Sequence, residues 1–275
     1  MAIITLISDM GTRDHYVAAV KGAILSQLEQ VNIVDISHQI APFNSLHAAF
    51  VLRNAWPEFP KGTVHLIGVN PEADAQTPHV VVRHRGHYFI GADNGIFSLV
   101  FDEKVDDVHE LTLKLDTDHQ TFPTKNIFVK AACHLARGGT VEMLGRRLDA
   151  LREQISNRPV VAGDSIKGAV IHVDHYGNVV TNITKELFLS TVKHRGFRIS
   201  FGRRMHDITT IHKTYSDVPI GERVAFFGDT GYLEIAINKG VIGGGGGAAQ
   251  LLGLEVTDVV RLELEPVPSR TAVTT

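Results

Sequence analysis

The first half of the chain alternates short apolar runs with stretches in which apolar residues return every three or four positions. Ile3–Ser8, Val31–Ile36 and Thr63–Val69 are runs of strand length. The last is almost continuously apolar, as a strand buried on both faces of a sheet is. Helices are predicted from about Asp14 to Leu28, from an Asn44 cap to about Ala55, from Ile96 to Phe101 and, beyond Pro123, through Ile127 to Ala136. Val80–Arg83 and His87–Ile90 read as a hairpin around Arg85-Gly86, Gly91–Gly95 as a tight turn, and Val108–Leu113 as a further strand. This alternation predicts an α/β domain over residues 1–160, with a mostly parallel sheet flanked by helices on both faces.

The pattern then changes. From Ser165 short strands dominate: Gly168–Val173, Val179–Ile183, Phe197–Phe201, Arg223–Phe227, Tyr232–Ile237 and Val259–Glu263. Turn signals at Tyr176-Gly177-Asn178 and Gly228-Asp229-Thr230-Gly231 separate them, which predicts a smaller antiparallel β-barrel over residues 165–265. Asn157–Gly163 reads as a linker and residues 266–275 as a tail.

Composition narrows the function. An apolar fraction of 44% with 21% charged residues belongs to a globular protein. A net charge of −3 lacks the basic excess of a nucleic-acid binder. No run approaches the roughly 18 apolar residues of a membrane span, and MAIITLISDM, without a basic n-region, reads as a strand and not a secretion signal. The single cysteine, Cys133, fits a reducing cytoplasm and, within a helical pattern, a buried structural thiol. Fifteen histidines are scattered; pairs such as His172/His175 and His206/His212 lack a third partner, so no metal is expected. The five glycines Gly243–Gly247 lack the Lys-Ser/Thr of a phosphate loop and read as a flexible loop before a short helix, Ala248–Leu252.

Two strand exits carry candidate chemistry. Leu66–His79 leaves the central strand as a polar loop at a carboxyl edge, where open parallel sheets bind ligands. It holds Asn70, Glu72, Asp74 and Thr77 but no Cys, Arg or Lys. Asp9, followed by Met10-Gly11-Thr12 and a helix, is placed either to grip a ribose diol or to cap that helix.

Five separated motifs stand out: Asp9–Val17 with Lys21-Gly22, Asp35-Ile36-Ser37-His38, Ala92-Asp93-Asn94-Gly95, Asp174–Ile183 and Gly231–Ala236. Together they resemble the S-adenosylmethionine hydroxide adenosyltransferases, a family that also contains S-adenosylmethionine-dependent fluorinases and chlorinases. The resemblance implies an N-terminal α/β domain with a C-terminal β-barrel and a homotrimer. S-adenosylmethionine is then the substrate, with no separate cofactor. It also implies roles: Asp9 accepts from the ribose hydroxyls, Phe43 packs on the ligand, Asp174 faces the methionine ammonium, Tyr176 stacks near the base, Asn178 reads the adenine edge, and the backbone of Ala236–Asn238 contacts the adenine. The resembling hydrolases activate water with an Asp, an Arg and a His. Those positions hold Asn70, Thr77 or Pro78, and Pro123 followed by Thr124 in this chain, and the tyrosines of the halogenases are absent too. Asn70, Thr77 and Thr124 are therefore the candidate catalytic positions. Three readings stay open: hydrolysis to adenosine and methionine, adenosyl transfer to a halide, and a catalytically silent S-adenosylmethionine or adenosine binding protein.

Overall fold

The computed structural model describes residues 1–113, 121–155, 158–201, 207–240 and 246–266. The chain divides into two compact units, Met1–Ile155 and Ser156–Thr275. Among the described residues no helix is long and apolar enough to cross a membrane.

The first unit is built on six strands, β1 (Ala2–Ser8), β2 (Val31–Ser37), β3 (Val64–Gly68), β4 (His79–His84), β5 (His87–Ala92) and β6 (Asp107–Glu110), in the order β2-β1-β3-β5-β4-β6. Only β4 runs against its neighbours; the pairs β1/β2, β1/β3 and β3/β5 are parallel. The hairpin between β4 and β5 turns at Arg85 and Gly86, both at positive φ (49° and 83°), as a two-residue primed turn requires. Every residue of β3 is buried, because helices cover both faces of the sheet. On one side α1 (Tyr16–Leu25) and α4 (Val129–Ala136), the latter entered through a π-helical turn at Thr124–Phe128, pack on Ile4, Leu6, Leu66, Val81 and Ile90. On the other, α2 (Ser45–Ala55) and α3 (Ile96–Val100) pack on Ile7, Ile67, Val80, Val82 and Phe89. Truncating a fully buried leucine such as Leu66 to alanine costs roughly 2–5 kcal/mol, so the sheet holds its rim residues on a rigid base.

The second unit is an antiparallel, curled sheet of β7 (Val160–Ala162), β8 (Ser165–Val173), β9 (Val179–Thr184), β10 (Phe197–Ser200), β11 (Arg223–Phe227), β12 (Tyr232–Ile237) and β13 (Val259–Leu264). The main path runs β10-β13-β8-β9-β12-β11, with β7 on β8. Single bridges at Ile208 to Ile199 and at His212 to Phe226 tie the 207–212 segment to both outer strands, β10 and β11, and curl the sheet toward a barrel. Among the described residues two short α-helices accompany it, α5 (Lys185–Val192), capped by the Thr184 hydroxyl, and α6 (Ala248–Leu252).

Three expectations are corrected here. Helix α1 is shorter than Asp14–Leu28, because the 12–15 segment stays irregular after Gly11 at φ 65°. The Val108–Leu113 strand ends at Glu110. Part of the expected linker, Val160–Ala162, is a strand hydrogen-bonded along β8.

Candidate functional site

In the first unit the chain leaves β1, runs to β2 on one side, and later returns to β3 on the other. The crevice beyond the carboxyl ends of β1 and β3 is thus the switch point at which such sheets bind ligands. Asp9 follows β1 there, and Asn70 lies just beyond β3. The Oδ2 atom of Asp9 accepts hydrogen bonds from the backbone N–H of Phe43 (2.9 Å) and of Asn70 (3.3 Å). Both donors sit at positive φ, 61° and 45°, a conformation uncommon for residues other than glycine. Two backbone segments are therefore bent to point N–H groups at one carboxylate, and its other oxygen, Oδ1, has no partner among the described residues. Asp9 does not cap α1, whose N-cap is His15 without a side-chain bond. The Phe43 side chain is 73% exposed, so it is no core phenylalanine.

The loop after β3 is fastened by two consecutive residues. Asp93 N–H donates to the Pro78 carbonyl (2.8 Å) at one end of the loop, and the Asn94 amide donates to the carbonyls of Asn70 (3.0 Å) and Val69 (3.4 Å) at the other. Asn94 Oδ1 accepts from Ile96 N–H (3.2 Å), so both its polar atoms are used. The Asp93 carboxylate accepts from Arg152 N–H, and its burial pushes its pKa up against the pull of that donor and charge. Within the loop, Thr77 is committed to Asp74: its N–H donates to Asp74 Oδ1 (2.8 Å) and its hydroxyl accepts from Asp74 N–H (3.2 Å). The same hydroxyl, with the N–H groups of Gln76 and Thr77, holds the exposed Asp74 carboxyl below its ordinary range.

Thr124 opens the π-helical turn, a feature that recurs at functional sites. It is 3% exposed, and its hydroxyl has no hydrogen-bond partner among the described residues. The hydroxyl lies over the end of β3: a Cβ at Gly68 would stand 3.1 Å from it and 3.1 Å from the Met10 methyl. A buried polar group without a partner is costly, which marks Thr124 as a place for a small polar ligand or water. Nearby, Phe122 meets Tyr16 edge to face (5.5 Å), with Lys125 over its ring (5.9 Å).

Behind Asp9, Ser8 Oγ and His38 Nδ1 are 2.6 Å apart and buried. His38 Nε2 is 3.2 Å from Asp35, though out of line for a hydrogen bond, and Asp35 pairs with Lys21 at 2.6 Å. Burial opposes the Asp35 charge, but Lys21 and His38 outweigh it and hold the carboxyl below its usual range. The serine has no open approach, so this array braces the Asp9 strand exit.

The second unit gathers a separate polar cluster. Asp174 Oδ1 accepts from the N–H groups of Tyr176 and Asn178 (2.8 Å each), and Oδ2 from the Asn178 amide (2.8 Å). Asn178 also reaches the Tyr215 hydroxyl (3.3 Å). Tyr176 is 65% exposed. Burial, with the charges of Asp174 and Asp229, pushes Glu234 up to about 7, and burial with the Glu234, Asp174 and Asp229 charges raises Tyr215. Asn238 is placed differently: its amide donates to Val218 (2.7 Å), and its backbone pairs with Glu222 and Gly221, none of it with Asp174 or Asn178. Gly247 packs on this turn, where a Cβ would stand 2.2 Å from the Tyr176 carbonyl. Gly243–Gly245 and His206 lie outside the described residues.

Asp107, His109 and Glu142 offer ligand atoms within 4.8 Å of one another. Arg147 (3.2 Å) and Arg83 (3.4 Å) already stand on Asp107, which opposes a cation there. Cys133 is fully buried, and that burial raises its thiol.

The candidate positions thus fall into two sets. Asp9, Phe43 and Asn70 are joined directly, and Thr124 lies over the same strand ends; Asp174, Tyr176 and Asn178 form one turn. Two residues escaped the sequence reading: Asn94, quoted only as part of a motif, and His79, one of fifteen histidines. His79 Nε2 lies 2.8 Å from the Pro71 carbonyl, and its ring meets Phe128 edge to face (4.9 Å).

Known proteins share the sequence and fold of this chain. Residues 4–145 match the SAM hydroxide adenosyltransferase N-terminal domain, and residues 168–261 the C-terminal domain of that name. An (R)-S-adenosyl-L-methionine hydrolase from Methanocaldococcus jannaschii is 35% identical over 67% of this chain and 68% of its own. One from Thermus thermophilus is 29% identical over 95% and 100%. A fluorinase from Nocardia brasiliensis is 27% identical over 86% and 90%. A crystal structure of an uncharacterized conserved protein from Thermotoga maritima superposes with a TM-score of 0.83 at 31% identity, over 94% of this chain and 99% of that one.

Proposed function

The chain belongs to the SAM hydroxide adenosyltransferase family, and on that premise we propose that it hydrolyses S-adenosylmethionine to adenosine and methionine by attack of water at C5′. The observation that carries the reading is the Asp9 carboxylate at the switch point, held by two N–H donors from bent backbone with Oδ1 left to accept. An ionised carboxylate accepts only, which suits a ribose diol that can donate twice. Phe43 offers an exposed aromatic face to the ligand. The second unit, taken by itself, carries an anionic and amide-bearing turn in Asp174, Tyr176 and Asn178, the residues to which the resemblance assigns the methionine and adenine groups. The committed hydrogen bonds of Asn238 limit it to a supporting part.

The chemistry asks little of the side chains. Attack at C5′ sends the C5′–S electron pair to sulfur and cancels the sulfonium charge, so a site that strips water from the nucleophile favours it. Asn70 is no base, and its N–H instead helps fix Asp9. The Thr124 hydroxyl, buried and unpartnered, is suited to hold the attacking water. Thr77 acts through the loop, since its polar atoms are spent on Asp74. The resemblance further leads us to propose a cytoplasmic homotrimer, for which sedimentation should return three times the chain mass.

Incubation with S-adenosylmethionine, with and without chloride or fluoride, tests the reading. Equal amounts of adenosine and methionine, unaffected by halide, are expected. A 5′-halogenated nucleoside would move the assignment to halide transfer, and intact ligand that is nevertheless bound would move it to a binding protein.

A further inference from the structure

Across the carboxyl rim of the first sheet, Ser8 pairs with Gly68 and His79 with Ala92. Continuing the β3/β5 register from Leu66 and Ile90 sets Gly68 beside Ala92. Side chains alternate along a strand, and Leu6, Leu66, Ile90 and Val81 all enter the core under α1 and α4. Ser8, Gly68, Ala92 and His79, each two residues along, therefore form one row across the rim on that same face. The π-helical turn lies over this row: Thr124 stands on Gly68, and Phe128 meets the His79 ring. Neighbouring strands are about 4.8 Å apart, so His79 and Gly68 backbones are separated by roughly 10 Å. A histidine side chain and one water bridge most of that gap.

The imidazole is oriented. A carbonyl only accepts, so Nε2, 2.8 Å from Pro71 O, carries the hydrogen, and the neutral ring keeps its lone pair on Nδ1. Nδ1 has no partner among the described residues, and the ring is half-buried. Burial lowers its pKa, with the Pro71 bond working weakly the other way, so the ring is neutral at pH 7. The charged groups of the packed elements are occupied or face elsewhere. Asp93, just past β5, is held by Arg152, Lys125 on the turn lies over Phe122, Asp74 in the loop is closed on Gln76 and Thr77, and Glu110 on β6 pairs with Val80 on the opposite face. Glu72 is exposed.

We propose that His79 is the general base for this chain's hydrolysis, taking the proton of the water that attacks C5′, directly or through one further water; the proposal rests on the hydrolase reading above. The water lone pair forms the C5′–O bond, the C5′–S pair goes to sulfur to leave neutral methionine, and the water proton passes to Nδ1 and then to solvent. The positive charge moves from sulfonium to imidazolium, so none is created. The loop that carries Asn70 thus supplies its base from its far end.

His79→Gln keeps an N–H at the Nε2 position for Pro71 and removes the basic lone pair. Steady-state kinetics should show kcat lowered about 100-fold or more with KM changed less than threefold, and the acid limb of the kcat pH profile lost. His79→Ala should regain activity on addition of free imidazole, which a packing role would not produce. Binding of adenosine to either variant, measured by calorimetry, confirms a folded site. A His79→Gln enzyme with wild-type kcat and pH profile would overturn the base assignment alone. A wild-type enzyme that releases no adenosine would overturn the hydrolase reading and the base with it.

Discussion

A carboxylate with two backbone donors on one oxygen and none on the other is a half-finished site, and so is a buried hydroxyl with no partner. Asp9 and Thr124 occupy these conditions at the ends of adjacent strands, one facing a diol and the other a water. The orphaned Thr124 hydroxyl costs stability in the free protein, which a ligand returns. Thr124→Val separates the two interests, because it deletes the hydroxyl while keeping the branched shape. Its melting temperature should equal or exceed that of the wild type, since an orphaned polar atom is removed. Its turnover should fall by about tenfold or more, in line with the loss of one hydrogen bond worth about 1.5 kcal/mol. Lower stability with unchanged turnover would show that the hydroxyl serves packing and not the attacking water.

At the scale of elements, the β5 exit decides where the β3 loop goes. Asn94 spends its donors on the loop carbonyls and its acceptor on the first turn of α3, so the two tasks can be divided by one atom. Asn94→Asp keeps the acceptor for Ile96 N–H but faces the Val69 and Asn70 carbonyls with a negative oxygen. The Asn70 amide should then lose protection from hydrogen exchange while the Ile96 amide keeps it, and affinity for adenosine should fall at least tenfold. Equal loss at both amides would mean that Asn94 only caps α3. The elements differ in how openly the sequence announces them. Strands β11 and β12 and helix α6 match their apolar runs to the residue, and Asn44 caps α2 through its side chain as expected. Strand β7 was hidden because all three of its residues are exposed, so no burial pattern marks it. Helix α5 was hidden because eight residues among strands leave too short a period to recognise. Asp9 was legible from its strand exit, whereas the donors that hold it come from 34 and 61 residues away and follow no local rule. His79 was invisible for a related reason: its meaning lies in Pro71 and Phe128, not in its neighbours.

Over the whole molecule, the two units should respond to pH with opposite sign. His65 is fully buried between Thr5 and His87, and burial, with the His87 charge, lowers its pKa to about 3. Its folded value lies below the unfolded 6.5, so the stability it allows is complete above pH 6.5 and is lost as pH falls, by about 1.4 kcal/mol per unit. His79, His84 and His87, each lowered chiefly by burial, act in the same direction. Glu234 in the second unit has a folded value raised to about 7 from 4.5, so the folded form holds the extra proton between those limits. That unit loses stability as pH rises from about 4.5 to 7, by up to about 3 kcal/mol, and is level above. Hydrogen exchange followed peptide by peptide from pH 7 to 5 should show protection falling in residues 1–155 and rising in 158–266. Glu234→Gln should flatten the second trend; parallel trends in both units would contradict these assignments.

The central claim is attack of water on C5′, and isotopic labelling reads it directly. Turnover of S-adenosylmethionine in water enriched in oxygen-18 should give adenosine carrying one label, at its 5′-hydroxyl, and unlabelled methionine. Unlabelled adenosine, or a 5′-halogenated nucleoside in its place, would contradict it.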